Sequence, residues 1–188
     1  MHVGTSTSTR TFHPDDRHRG APVTRYAHLN LFVAGFGYHE AAWKVSPNGE
    51  KGFLGLDHFA EVARIAERGV LDSMFLADSP GVVDFRPRFM AQSGFDPIDL
   101  LAALVPLTTH LGLLATASTT YSSPWDLARR FASLDHLSNG RAGWNIVTTG
   151  NPAAAQNFAD RPHPPHADRY QRAQEFVEVG RASCRERV

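Results

Sequence analysis

The stretch from Leu111 to Gly150 limits the possible folds more than any other part of this chain. It reads as strand, helix, strand. A short apolar run covers Leu111 to Thr116, and a second covers Ala142 to Thr148. Between them a helix opens with Ser123-Pro124-Trp125-Asp126 and stops at Gly140. Pro at the first helical position gives up an amide that has no partner there anyway. Ser is a capping residue type, and an early acid suits the positive end of the helix dipole. The helix carries Leu127, Phe131, Leu134 and Leu137 along one side. A helix joining two strands implies a right-handed crossover and parallel pairing. Both strands end in small polar residues, at the end of a parallel sheet where ligands collect.

The same unit recurs along the chain. A first strand is predicted over Tyr26 to Ala34, then a long loop from Gly35 to Gly55, then a helix from about Asp57 to Arg68 with Phe59, Val62, Ala63 and Ala66 as its stripe. Gly69 ends that helix. The second strand is Ser73 to Ala77, closing at Asp78, and a loop over Ser79 to Phe95 carries Arg86, Arg88 and Met90. Asp96-Pro97-Ile98-Asp99-Leu100 repeats the opening phrase of the later helix. A last helix starts near Asp168 and uses Tyr170, Ala173, Phe176 and Val177. Four consecutive βα units make an α/β protein with a parallel sheet. Two architectures fit: a doubly wound sheet, or the first four units of a (β/α)8 TIM barrel, half of one. Residues 1–24, rich in Ser, Thr, His, Arg and Pro, read as a flexible leader.

Composition narrows the function classes. Hydrophobic residues make up 42% of the 188, enough for a real core. Lys plus Arg and Asp plus Glu stand at 19 each, so charge favours neither nucleic acid nor an anionic membrane as partner. Cys184 is the only cysteine, so no internal disulfide forms and the cytoplasm is the expected compartment. No apolar stretch is long enough to span a membrane, and the N-terminus is not a secretory signal.

Polar residues that sit oddly in strands gather at the strands' carboxyl ends: Asn30, Asp78, Thr116, Ser118, Asn145, Thr148 and Thr149. Asn145 interrupts an apolar strand, and Gly143 on the same face is expected to leave room for a flat ligand; a buried amide bonded to its neighbours is the plainer alternative. Asp78 would hydrogen-bond a ligand or cap the following segment. His28 and His39 are candidate proton carriers or substrate contacts. For His28 a satisfied core histidine fits as well, whereas His39 lies in an open loop. His163 and His166 frame Pro164-Pro165, but no helical His-x-x-x-His and no Cys pair supports a metal. A Walker loop, a strand followed by Gly-x-Gly-x-x-Gly, and a Gly-x-Ser-x-Gly elbow are all missing from the sequence. Arg129-Arg130 reads as a solvated or salt-bridged pair.

Several phrases together carry a family resemblance: Met74-Phe75-Leu76-Ala77-Asp78, Thr116-Ala117-Ser118-Thr119-Thr120-Tyr121, Ala128 through Ser138, Gly140 through Thr148, and Asp168-Arg169-Tyr170. Over roughly Tyr26 to Val179 the chain resembles the nitrilotriacetate monooxygenase branch of the bacterial luciferase-like flavin monooxygenases. The resemblance implies a (β/α)8 barrel with FMN at the strand ends. It implies reduced FMN supplied by a separate NAD(P)H:flavin reductase, O2 as co-substrate, a small organic substrate, and a homo-oligomer. By position Asp78, Thr149, Gly150 and Tyr170 match family flavin contacts, and Thr116 and Asn145 line the same face. His39 matches a polar substrate-side position, so His39 and Asn145 are the catalytic candidates. Gly150 stands where some members carry His. Residues 25–179 are then expected to be the N-terminal half of the barrel. Residues 180–188 depart from the family and are similar to translated sequencing adapter, so they are expected to be a non-native tail on a truncated reading of a longer gene. Two alternatives remain: a deazaflavin-dependent oxidoreductase of the same barrel superfamily, and a non-catalytic truncated flavin-binding remnant.

Overall fold

The computed structural model describes residues 27–33, 37, 39, 42–45, 55–81, 94–158 and 162–185. The leader, most of the Gly35–Gly55 loop, and Arg86, Arg88 and Met90 lie outside them. Within them, β1 (Asn30–Val33), β2 (Ser73–Leu76), β3 (Gly112–Ser118) and β4 (Ala142–Val147) form one sheet in the order β1-β2-β3-β4. Every pairing is parallel. The helices between and after them are α1 (Leu56–Arg68), α2 (Pro97–Leu104), α3 (Pro124–Ser138) and α4 (His166–Arg185). α4 thus runs into the segment that the sequence reading assigned to a tail.

The strand order decides between the two architectures. A doubly wound sheet reverses direction at a switch point, with helices on both faces. Here each strand pairs with the next, and each helix packs against its successor in one layer. A single core lies between that layer and one sheet face. Met74, Leu76, Leu113, Ala115 and Ala117 supply the strand side; Phe59, Ala63, Leu101, Leu104, Leu134 and Phe176 supply the helix side. Each large apolar side chain fully buried there contributes roughly 1.5–3 kcal/mol. Trp144 packs under the last two helices of the layer, tilted against Phe131 of α3 and Phe176 of α4. This is the wall of a partial barrel.

The other sheet face carries rows of side chains that register places side by side. In the lowest row Ser73 donates to the Asn30 amide oxygen at 2.6 Å. Phe32 stacks on Phe75 in the next, with ring centroids 5.0 Å apart. That row continues through Leu114 to Gly143. A Cβ on Gly143 would lie 2.9 Å from the Leu114 Cγ, so the leucine occupies the space expected for a flat ligand. Above it, Asn145 donates to the Thr116 hydroxyl at 2.9 Å.

Local signals worked unevenly. Asp96 caps α2 as expected, its carboxylate accepting from the Ile98 and Asp99 amides at 2.9 and 3.3 Å. Ser123 precedes α3 but makes no capping hydrogen bond through its side chain. Leu137, expected on the buried stripe, is 64% exposed, because α3 turns it beyond its neighbours' reach. α1 is followed by Gly69 at φ −76°, and Val70 takes the left-handed conformation at φ 56°. Arg130 pairs with Asp96 at 2.7 Å and Asp99 at 3.4 Å, and Arg129 reaches Asp126 at 3.5 Å, as the salt-bridge reading of that pair requires. His28 is not a core histidine. Its ring is exposed and meets the Asp72 carboxylate at 3.0 Å, just ahead of β1.

Candidate active site

The carboxyl ends of β2 and β4, together with the first turn of α4, enclose a cleft of about 540 Å3. Asp78, Thr149, Gly150 and Tyr170 all line it. These four come from three separate stretches, so the cleft exists only because α4 docks beside the strand ends.

The turn after β4 is held from several sides. Thr149 has φ 42°, an uncommon conformation for a β-branched residue that persists only where surroundings over-determine it. Its hydroxyl donates to Ser118 Oγ at 2.6 Å, tying the turn to the end of β3. Thr120 donates its hydroxyl to the Thr148 carbonyl at 2.8 Å. Arg169, only 8% exposed, donates from Nη1 to the Thr149 carbonyl at 2.7 Å. Gly150 follows with open space where a Cβ would stand, so a ligand can approach the backbone closely.

Behind the turn runs a polar chain. Arg169 Nη1 also meets Nε2 of His163, whose Nδ1 lies 2.7 Å from the Tyr121 hydroxyl. A guanidinium only donates, so Nε2 must accept and the ring proton sits on Nδ1. Burial lowers the His163 pKa, and the Arg169 charge lowers it further, which keeps the imidazole neutral. Tyr121 stacks on Phe158 at 4.4 Å, and burial raises its pKa against the opposing Arg169 charge. One turn further along α4, Arg172 donates to the Thr119 and Ser122 carbonyls at 2.9 and 3.1 Å. Two arginines of one helix therefore grip the ends of two strands.

Asp78 lies at the mouth of the cleft. Protein packed around it and the negative charge of Asp96 raise its pKa, with the Ser79 amide opposing them. Tyr170 is 56% exposed, its ring tilted against His166 at 4.5 Å. It faces the cleft rather than the core stripe expected for it, while Phe176 goes inward at 3% exposed.

The remaining candidates lie elsewhere. Asn145 and Thr116 bond to one another on the inner sheet face and do not line this cleft. His39 is exposed, and its carbonyl accepts from the Ala42 amide at 2.8 Å at the start of a single 3-10 turn. Among the described residues no cluster of His, Cys, Asp or Glu could hold a metal ion, and no helix is long and apolar enough to cross a membrane. Arg169 and Tyr121 went unnoticed as site residues. Each stands inside a family-like phrase, yet nothing in its spacing separates an inward-turned side chain from a solvated one.

Residues 36–188 match the Luciferase-like monooxygenase family. The chain belongs to that family. It is 50% identical over 151 residues to the N-acetyl-S-(2-succino)cysteine monooxygenase of Bacillus subtilis (strain 168), across 80% of this chain and 34% of that protein. Against nitrilotriacetate monooxygenase component A of Aminobacter aminovorans it is 46% identical over 154 residues, 76% of this chain and 34% of the other. The solved EDTA monooxygenase from Chelativorans sp. BNC1 superposes with a TM-score of 0.77 at 39% identity, over 83% of this chain and 38% of that one. This luciferase-like monooxygenase chain thus spans about a third of the length of the curated relatives it matches.

The family implies a flavin, and the cleft's residues suit one. An isoalloxazine is flat and carries ring carbonyls and an imide N–H. The open backbone at Gly150 and the hydroxyl and carboxyl groups of Tyr170 and Asp78 form a matching donor and acceptor set.

Proposed function

We propose that the protein is an FMN-dependent monooxygenase of the two-component kind, using reduced FMN from a separate NAD(P)H:flavin reductase and O2 to oxidise a small organic substrate. The observation that carries this reading is the convergence of Asp78, Thr149, Gly150 and Tyr170 on one cleft. When bound, reduced FMN supplies the electrons and the oxygen chemistry.

The chain's own groups would bind and orient. Asp78 would hydrogen-bond the flavin edge from the mouth of the cleft. The exposed Tyr170 ring would cover one side of the isoalloxazine and keep water from it. Thr149 and Gly150 would present backbone to the ring. The Thr116–Asn145 pair, on the inner face of the same strands, would supply an amide and a hydroxyl towards the barrel interior. His39 would contact the substrate from its exposed bend. In this reading the protein works in the cytoplasm as a homo-oligomer, beside the reductase.

The substrate class we assign draws on the names of three relatives; others are named for a long-chain alkane, dibenzothiophene sulfone and dimethyl sulfide. Nitrilotriacetate, EDTA and N-acetyl-S-(2-succino)cysteine each carry several carboxylates on an amine, diamine or thioether scaffold. A polycarboxylate built on an amine or a thioether is therefore the substrate we assign.

The test is oxygen uptake by the purified protein with chemically reduced FMN and a substrate panel. Turnover of a polycarboxylate amine or thioether, with one oxygen atom entering the product, is expected. Uptake only with a reduced deazaflavin, or no flavin binding at all, would overturn the reading.

A further inference from the structure

The peptide between Thr149 and Gly150 has its two polar ends in different surroundings. Its carbonyl is taken by Arg169 Nη1 at 2.7 Å, in a buried contact. The peptide is trans, so the Gly150 N–H points the opposite way, away from the guanidinium. Gly150 is exposed and lines the cleft, and nothing stands where its side chain would be. Arg169 is thus the buried charged group that holds the orientation of this one peptide. Nη1 carries two hydrogens. One goes to the Thr149 carbonyl and the other to Nε2 of His163, which is in turn anchored on Tyr121. The guanidinium is thus held from behind while it holds the turn in front.

We propose that Arg169 is a positioning residue that locks the Thr149–Gly150 peptide so that the Gly150 N–H is presented as a hydrogen-bond donor to the bound flavin. This rests on the flavin reading above, but the locking itself does not. The Arg169 contact to a carbonyl is charge-assisted and shielded from water, so its loss frees the peptide to rotate.

Arg172 provides the control. It grips the Thr119 and Ser122 carbonyls from the same helix and touches neither Thr149 nor Gly150. Arg169→Gln, Arg169→Lys and Arg172→Gln are compared in the full protein by three readouts: melting temperature, oxidised-FMN affinity from fluorescence quenching, and the Gly150 amide signal in 1H–15N spectra without flavin. Arg169→Gln is expected to move the Gly150 signal and weaken FMN binding about tenfold or more. Arg169→Lys, with one charged donor head, should recover part of both. Arg172→Gln should lower the melting temperature while leaving the Gly150 signal in place and FMN affinity within about twofold. The inference is overturned if the Gly150 signal stays put in Arg169→Gln, or if Arg172→Gln weakens FMN as much as Arg169→Gln does. Should wild-type protein bind no flavin while the Gly150 signal still follows Arg169 alone, the flavin reading and the donor role fall together and only the lock stands.

Discussion

Leu114 lies across Gly143 on the inner sheet face, its Cγ 2.9 Å from the point where a Cβ on the glycine would stand. The two residues are direct partners in the β3–β4 register. Gly143→Ala should therefore destabilise the protein by about 1–3 kcal/mol, since an added methyl in a filled space forces neighbours off their rotamers. Trimming the leucine in the double variant Leu114→Ala, Gly143→Ala should recover much of that loss. Denaturant unfolding of the two single variants and the double variant measures the coupling; simple additivity would show that the leucine does not enforce the glycine.

Asp78 has a raised pKa, so its ionised form is less stable in the fold than in the unfolded chain. The sign follows from proton binding: between the ordinary aspartate value and the raised one, the folded state holds more protons, and stability falls as pH rises. Asp78→Asn should then raise the melting temperature at neutral pH, and the gain should vanish below about pH 4, where both states are protonated. The same substitution should weaken flavin binding. A pH series of thermal melts checks the first expectation.

His163 shows the opposite slope. Burial and the Arg169 charge lower its pKa, so the unfolded chain takes up a proton first as the solution is acidified. Stability should fall as pH drops below about 6.5. His163→Gln should flatten that limb of the melting profile. An unchanged profile in the variant would mean that another group titrates there.

Glu67 of α1 accepts from three successive amides through one oxygen: Thr109 at 2.6 Å, His110 at 2.5 Å and Leu111 at 3.1 Å. Burial works to raise its pKa, but those amides and the His110 charge prevail and lower it. Glu67→Ala leaves the amides leading into β3 without that acceptor and should cost about 2 kcal/mol at neutral pH. The contribution is present above the ordinary glutamate pKa and is lost as pH falls through the lowered one. Urea unfolding at neutral and acidic pH should show the difference between wild type and variant shrinking in acid.

How far the sequence could be read depended on the range of the interactions involved. Elements came through because their signals are local: Asp96-Pro97 starts α2, and Gly140 follows α3, whose last turn ends in a left-handed Asn139. In β2 the two-residue alternation turns Met74 and Leu76 to the helices and Phe75 to the inner face. Local signals alone left barrel and doubly wound sheet open, because strand order is a property of the whole sheet; the family resemblance pointed to the barrel, and the strand order agrees. At the site, polar residues ending strands pointed to Asp78 and Thr149. Arg169 did not stand out, since an arginine in the first turn of a polar helix looks solvated until its distant carbonyl partner is in place. Gly143 misled for a related reason: its neighbour Leu114 lies on another strand.

The two lips of the cleft, Asp78 to Pro80 and His166 to Tyr170, belong to the early and late parts of this segment. During synthesis the first lip leaves the ribosome well before the second. In the flavin reading, a cofactor meeting the growing polypeptide would find only one lip until the first turn of α4 docks beside the strand ends. Capture of the cofactor would therefore wait for α4, and flavin fluorescence would time its docking.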